Sequence, residues 1–132
     1  MATRHQVRQS VISLLYALEL NDKNENFIDE FLNEKKIRNE QKNFTLSLYN
    51  GICENLTKLD EALNVHLKEN AINKLGHIER AILRLGAYEL LFTETTDAII
   101  INEAIELAKE LANDNSPKFI NGVLDSLIKA KK

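Results

Sequence analysis

Two groups of side chains in this sequence have types and spacings suited to holding an anion. Arg4, His5 and Arg8 open the chain. Arg4 and Arg8 are four residues apart, so on a helix they share a face with Gln9 beside them, which suits two successive phosphates or a splayed single strand of nucleic acid. Near the other end, Ser116, Pro117, Lys118 and Phe119 read as a helix start, where free backbone N–H groups and the helix dipole favour negative charge and an aromatic ring can stack on a base. Both places also have a plain structural reading: a solvated helix start for the arginines, and a first core residue for Phe119 beside a solvated Lys118. His77, Arg80 and Arg84 form a third line at i, i+3 and i+7, facing either a partner or RNA backbone, or carboxylates of the same chain. Tyr16 and Tyr88 read as core or rim aromatics.

Catalytic chemistry finds little support. The chain has no Gly-rich phosphate loop, HExxH or CxxC, and its three histidines are scattered at positions 5, 66 and 77 with no evident nucleophile. Glu103 and Glu106 resemble a carboxylate pair but read as a solvated face with Lys109, and the Glu-x-x-His step of a diiron bundle does not occur. The single Cys53 can form no internal disulfide and lacks the neighbours of a zinc site. The expectation is a binding protein, not an enzyme, with no metal and no cofactor.

The elements that must position these residues are helices. In 132 residues there are one Pro and four Gly, and apolar side chains recur at three- and four-residue intervals while alternating β-branched runs are nearly absent. Hydrophobic residues are 44% and charged residues 28%, ordinary for a folded domain of this length. Val7, Val11, Leu14, Leu15 and Leu18 predict a helix over 3–20. Phe27, Ile28, Phe31 and Leu32 predict a short second one, and Phe44, Leu48, Ile52 and Leu56 a third over 39–55. Thr57 with Asp60 resembles a capping pair opening a fourth helix with Leu59, Leu63 and Leu67 inward, unless the break is only a kink. The pattern loosens over 69–76, which divides the single domain into halves 1–72 and 73–132, with Gly76 as punctuation.

The segment 77–93 is apolar on most of its circumference and is expected to be the axis of the core. Gly86 within it costs about 1 kcal/mol relative to Ala, so a close helix crossing is expected there. Thr95, Thr96 and Asp97 are cap candidates for a helix reaching 112, with Ile101, Ala104, Ile105, Ala108 and Leu111 inward. Ser116 as cap and Pro117 in the first turn start the last helix, which carries Phe119, Ile120, Val123, Leu124 and Leu127. The fold class is therefore all-α, about seven helices in two small packed bundles.

Net charge is −3, unevenly spread: residues 1–18 hold no acid, whereas residues 19–34 hold six acids and one Lys. The first helix begins positive, and Lys129, Lys131 and Lys132 extend the basic character of the C-terminus. The most apolar stretch, 81–92, carries Arg84 and Glu89 and falls short of the roughly 20 residues that span a bilayer. With no apolar run suited to a secretion signal near the start, the expected location is the cytoplasm, away from membranes.

The run IERAILRLGAYELLF at 78–92, followed by INEAIELAKELANDNSPKFINGVLDSL at 101–127, resembles the NusB family of bacterial transcription antitermination factors. Arg4, Arg8 and the LLY that ends at Tyr16 match the same family's start. What the resemblance implies is an all-helical protein of two packed subdomains that binds the boxA element of ribosomal RNA leaders as single-stranded RNA. It does so together with NusE, a small-subunit ribosomal protein, and helps load other Nus factors and RNA polymerase into an antitermination complex. By motif position the RNA-binding residues are Arg4, His5, Arg8, Ser116, Lys118, Phe119 and Asn121. The NusE-facing ones are Tyr16 and Glu79, with Arg80 and Arg84 on the same helix.

Three positions depart from the family pattern: His5 where another Arg is common, Thr96 where a Pro is common, and Asn115 where an acid often precedes the Ser. The charge at His5 is thereby sensitive to pH near neutrality. Two other classes remain open: an RNA-binding accessory domain of the kind joined to RNA cytosine methyltransferases, and a helical adaptor that binds protein alone. A homodimer of the free protein, burying the surface that takes NusE or RNA, is a further alternative.

Overall fold

In the computed structural model, residues 2–20, 25–67 and 71–131 are described. They form seven α-helices: α1 (Arg4–Leu20), α2 (Glu25–Glu34), α3 (Glu40–Glu54), α4 (Leu56–Asn64), α5 (His77–Phe92), α6 (Asp97–Leu111) and α7 (Ser116–Lys131), with one 3-10 turn, Ile72–Lys74, before α5. Among the described residues no helix is long and apolar enough to cross a membrane. The expected cap at Ser116 and the expected register of several stripes changed on folding, whereas the helix count and the axis did not.

α5 is the axis. It touches α1, α3, α4, α6 and α7, and every residue from Ala81 to Ala87 is buried, as are Glu89 and Leu90. Two glycines make this crowding feasible. A Cβ on Gly86 would lie 2.8 Å from Leu124 Cδ1 of α7, so the crossing anticipated at Gly86 is made by α7. A Cβ on Gly51 of α3 would run into the Tyr88 phenol, so the hydroxyl end of Tyr88 packs against α3 at Gly51, and its ring stacks on Phe92 with centroids 5.3 Å apart.

The α1 stripe buries Val7, Val11, Leu14 and Leu15, but Leu18 at its far end is 39% exposed. On α6 the inward face is Ile100, Ala104, Leu107 and Ala108, about one residue from the expected register at either end, and Leu111 is 40% exposed. The apolar run IIINEAI supports either register by pattern, and packing on both α5 and α7 selects one.

Thr57 does not begin α4. Asn55 is the junction residue, its backbone carbonyl accepting from Leu59 N–H at 2.9 Å while its side-chain Nδ2 donates back to Gly51 O at 2.8 Å. α3 and α4 are thus one helical path bent at Asn55, and no capping box is needed to start the second part.

Between α2 and α3 the chain reverses through Lys36 at φ 59° and Asn39 at φ 57°. Positive φ costs a non-glycine residue roughly 1–2 kcal/mol, and Asn39, at ψ −126°, lies outside the left-handed helical region that Asn tolerates best. Ile37 between them is 1% exposed and its N–H donates to Leu32 O at 2.9 Å. Burial of that one side chain offsets a good part of the strain.

Candidate nucleic-acid interface

The arginine expected to face solvent at the start of α1 is inside the protein. Arg8 is 2% exposed; its Nε and NH2 donate to Glu89 of α5 at 3.0 and 2.8 Å, and its NH1 donates to Glu103 of α6 at 3.1 Å. The expectation that Arg4 and Arg8 present adjacent charges on one open face is therefore corrected: the i, i+4 geometry holds, but α5 and α6 cover the second position. Glu103 is corrected with it, since it faces Arg8 and not solvent, while Glu106 does pair with Lys109 at the surface.

His5 continues the same network. Its Nδ1 lies 2.9 Å from Glu103 Oε2 and its Nε2 lies 2.7 Å from Glu110 Oε1, and Gln9 Nε2 donates to the same Glu110 oxygen at 3.1 Å. Only the doubly protonated ring can donate to both carboxylates. Partial burial pulls the His5 pKa down, but the hydrogen bonds and charges of Glu110 and Glu103 outweigh it and the net shift is upward from 6.5. Glu110 moves the other way, below 4.5, held ionised chiefly by the His5 hydrogen bond and then by Gln9.

The His77, Arg80, Arg84 line is absorbed within the chain. Arg84 donates to both oxygens of Asp60 at 2.9 and 2.8 Å and to Glu19 at 2.8 Å. Arg80 Nε stands 3.1 Å from the same Glu19 oxygen, and His77 Nδ1 bonds the other. Arg84 is buried and Arg80 largely so, so neither offers a free guanidinium to a partner, and the internal-carboxylate reading of this line is the correct one. Tyr16 sets its ring edge-on to His77 at 5.7 Å and is 38% exposed.

At the start of α7 the expected helix cap is also revised. Ser116 is fully buried, and its hydroxyl donates to Glu79 Oε2 of α5 at 2.6 Å instead of serving its own helix. Ser116 and Glu79, expected on separate binding surfaces, are therefore hydrogen-bonded to each other. Asn115 supplies the carbonyl for the first turn, accepting from Phe119 N–H at 3.3 Å. Lys118 and Asn121 are exposed, and Phe119 is half-buried against the core.

Two concavities lie along α1. One, of about 360 Å³, is lined by Gln6, Gln9, Ser10 and Ser13 of α1 with Phe31, Lys35, Ile37 and Leu111. The other, of about 320 Å³, lies between Tyr16, Gly76, His77, Ile78, Glu79, Leu111, Ala112 and Asn113. Leu111 borders both, the first beside the N-terminal half of α1 and the second beside Tyr16 and the loop that leads into α7. At a rise of 1.5 Å per residue, Arg4 to Tyr16 is about 18 Å of helix. Among the described residues, no group of three His, Cys, Asp or Glu converges in a way that could hold a metal ion.

Sequence reasoning did not single out Glu89 and Glu19 as ion-pair partners and read Asp60 only as half of a capping pair, although an acid within the otherwise apolar α5 is itself a signal of a buried partner. It also passed over Lys35, Lys36 and Arg38, which the turn after α2 leaves exposed and whose clustering, KKIR, is plain in the sequence.

Residues 5–129 match the model of the NusB family. The chain is 79% identical over 132 residues, all of both chains, to the transcription antitermination protein NusB of Campylobacter jejuni (strain RM1221). Among solved structures it is similar to NusB of T. maritima, with TM-score 0.88 and 34% identity over 97% of this chain and 92% of that one. It is also similar to a chain from a crystal structure of the antitermination factors NusB and NusE in complex with dsRNA, with TM-score 0.86 and 29% identity over 96% of each. The chain belongs to the NusB family, a family of transcription antitermination factors and not of enzymes.

Proposed function

We propose that this protein binds the boxA element of ribosomal RNA leader transcripts as single-stranded RNA, together with the ribosomal protein NusE. In this reading it helps assemble the antitermination complex on RNA polymerase with other Nus factors, in the cytoplasm. The observation that carries it is that Arg4 at the start of α1 and Lys118 at the start of α7 are exposed in a chain of this family. Arg4 and Lys118 supply charge, Phe119 an aromatic edge, and His5 and Asn121 polar contacts. Arg8 and Ser116 act from beneath by fixing the helix starts through Glu89 and Glu79. Tyr16 and Glu79 face NusE, with Arg80 and Arg84 holding their surroundings through Glu19.

The test is fluorescence anisotropy of a labelled boxA-type RNA and of a scrambled one, titrated with this protein alone and with equimolar NusE. The expected result is binding to boxA that NusE tightens selectively. Equal binding of the two RNAs in both titrations would overturn the reading. Tyr16→Asp is expected to weaken NusE association and to lower RNA affinity only when NusE is present. A free homodimer shows itself as a concentration-dependent mass by light scattering; a constant monomer mass at micromolar protein removes it.

A further inference from the structure

We propose that the turn between α2 and α3, through Lys35, Lys36 and Arg38, continues the RNA path beyond the start of α1 as a second set of phosphate contacts; this rests on the reading that the protein binds single-stranded RNA. The starting observation is where charge is left over. Arg8, Arg80 and Arg84 are each matched by a carboxylate inside the fold. Arg4, Lys35, Lys36 and Arg38 are matched by none among the described residues. A cation with no internal carboxylate keeps its full attraction for an anion from outside.

The start of α1 and the turn between α2 and α3 are neighbours although the sequence separates them. The Gln41 side-chain amide bonds Ala2 O, and the Arg4 guanidinium lies 4.5 Å over the ring of Phe44 in α3, so the first turn of α1 rests on the first turn of α3. Lys35 lines the larger α1 concavity with Gln6 and Gln9. Buried Ile37 and the positive-φ residues Lys36 and Asn39 hold the turn so that its basic side chains point outward. Glu34 and Glu40 flank the turn, and with Lys42 included residues 34–42 still carry four basic against two acidic side chains. Lys42 is paired with Asp29 at 3.1 Å. Glu40 lies in the first turn of α3, where the helix dipole offsets its charge.

The concavity beside this basic edge favours a nucleic acid over an acidic polypeptide. Its wall mixes the amides of Gln6 and Gln9 and the Ser13 hydroxyl with the apolar Phe31, Ile37 and Leu111. Such groups serve the hydrogen-bonding edges and faces of unpaired bases, while the lysines follow the backbone.

The experiment is a salt series of RNA binding by the full chain without NusE. Each phosphate contact to a single strand contributes roughly 0.7 to the log–log slope. Arg4 and Lys118 alone give a slope of about −1.4, and adding the three turn residues gives about −3.5. Neutralising them together, Lys35→Gln/Lys36→Gln/Arg38→Gln, is expected to return the slope to about −1.4 and to weaken binding about a hundredfold at 0.1 M salt. Arg38→Gln alone lowers the slope by roughly 0.7 and serves if the triple variant does not fold. If the triple variant binds as the wild type does while Arg4→Gln and Lys118→Gln weaken binding, the RNA reading stands and this proposal is overturned. If the triple variant loses binding to poly-glutamate but not to RNA, the turn belongs to an acidic polypeptide and the proposal is again overturned. If the wild type binds no RNA either alone or with equimolar NusE, both readings fall together; if it binds only with NusE, the same salt series is run on that pair with the same expected slopes.

Discussion

Arg8 on α1 and Glu89 on α5 form a two-point ion pair, 2.8 and 3.0 Å long, in which both residues are 2% exposed. It sits where three helices meet, because the third guanidinium nitrogen reaches Glu103 on α6. Burying two charges is unfavourable by itself and is tolerated only with close geometry and further hydrogen bonds, which the fork of Arg8 provides. The pair therefore fixes the position of α1 on α5, and with it the exposed Arg4 one turn earlier.

Removing one member of the pair should be severe. Arg8→Met leaves Glu89 buried without its counter-charge, and the expected cost is about 3–5 kcal/mol in urea unfolding. Arg8→Met/Glu89→Met should regain most of that loss, since neither charge is then stranded. A single-variant loss below about 1 kcal/mol would mean that Glu89 finds water or another partner. RNA affinity measured at temperatures where the single variant remains folded should fall, and recover in the double variant, because Arg8 acts on RNA only by holding the start of α1 in place.

The His5 network ties stability to pH. The folded pKa of His5 is raised above 6.5, so its contribution is fully present below pH 6.5 and is lost as pH rises through the folded value. Glu110 is lowered below 4.5, so its contribution is present above 4.5 and is lost as pH falls through its folded value. The difference in Tm between the wild type and His5→Gln should therefore be largest between those two values and shrink on either side. A difference that stays flat from acid to alkaline pH would show that the imidazolium form contributes nothing.

Gly86 offers a test whose sign reverses. Gly86→Ala places a methyl 2.8 Å from Leu124 Cδ1, and overpacking of this kind costs about 1–3 kcal/mol, against about 1 kcal/mol of helix propensity gained. In a Leu124→Ala background the clash is gone, so the same substitution should stabilise by up to about 1 kcal/mol. Denaturant midpoints of the four proteins in this cycle decide it, and equal effects in both backgrounds would remove Gly86 as the crossing point of α5 and α7.

Ser116→Ala should destabilise by about 1–3 kcal/mol, the range for losing a hydrogen bond to a charged group, because the Ser116 hydroxyl donates to Glu79 at 2.6 Å from a fully buried position. Ser116→Ala in a Glu79→Ala background should cost distinctly less, and thermal melts of the four proteins measure the coupling.

Much of the fold was legible because helix period and apolar stripe report the same thing in most segments. The all-round apolar character of 77–93 marked the axis, and Gly86 marked a crossing, since a glycine there is unfavourable unless something packs where its side chain would be. The register of α6 was not legible. IIINEAI offers two overlapping apolar faces, and which one is inward depends on α5 and α7 packing against it together. Thr57 and Ser116 failed as caps for a related reason: a hydroxyl is a local signal, but Asn55 continues the helical path before Thr57, and Glu79 brought up by α5 competes for Ser116.

The sequence by itself determined the class, the number of helices, the axis and the family, because these depend on patterns repeated along many residues, so that no single position decides them. Tertiary structure alone decided which charges remain for a ligand. Arg4 and Arg8 have the same residue type and share one helix face, yet α5 and α6 bring Glu89 and Glu103 to the second and leave the first over Phe44. The turn that carries Lys35, Lys36 and Arg38 lies near the start of α1 only because α3 folds back beside α1. Ion pairing falls off over a few ångströms, and separations on that scale between residues 80 or more positions apart are set by helix packing, which spacing along the chain does not encode.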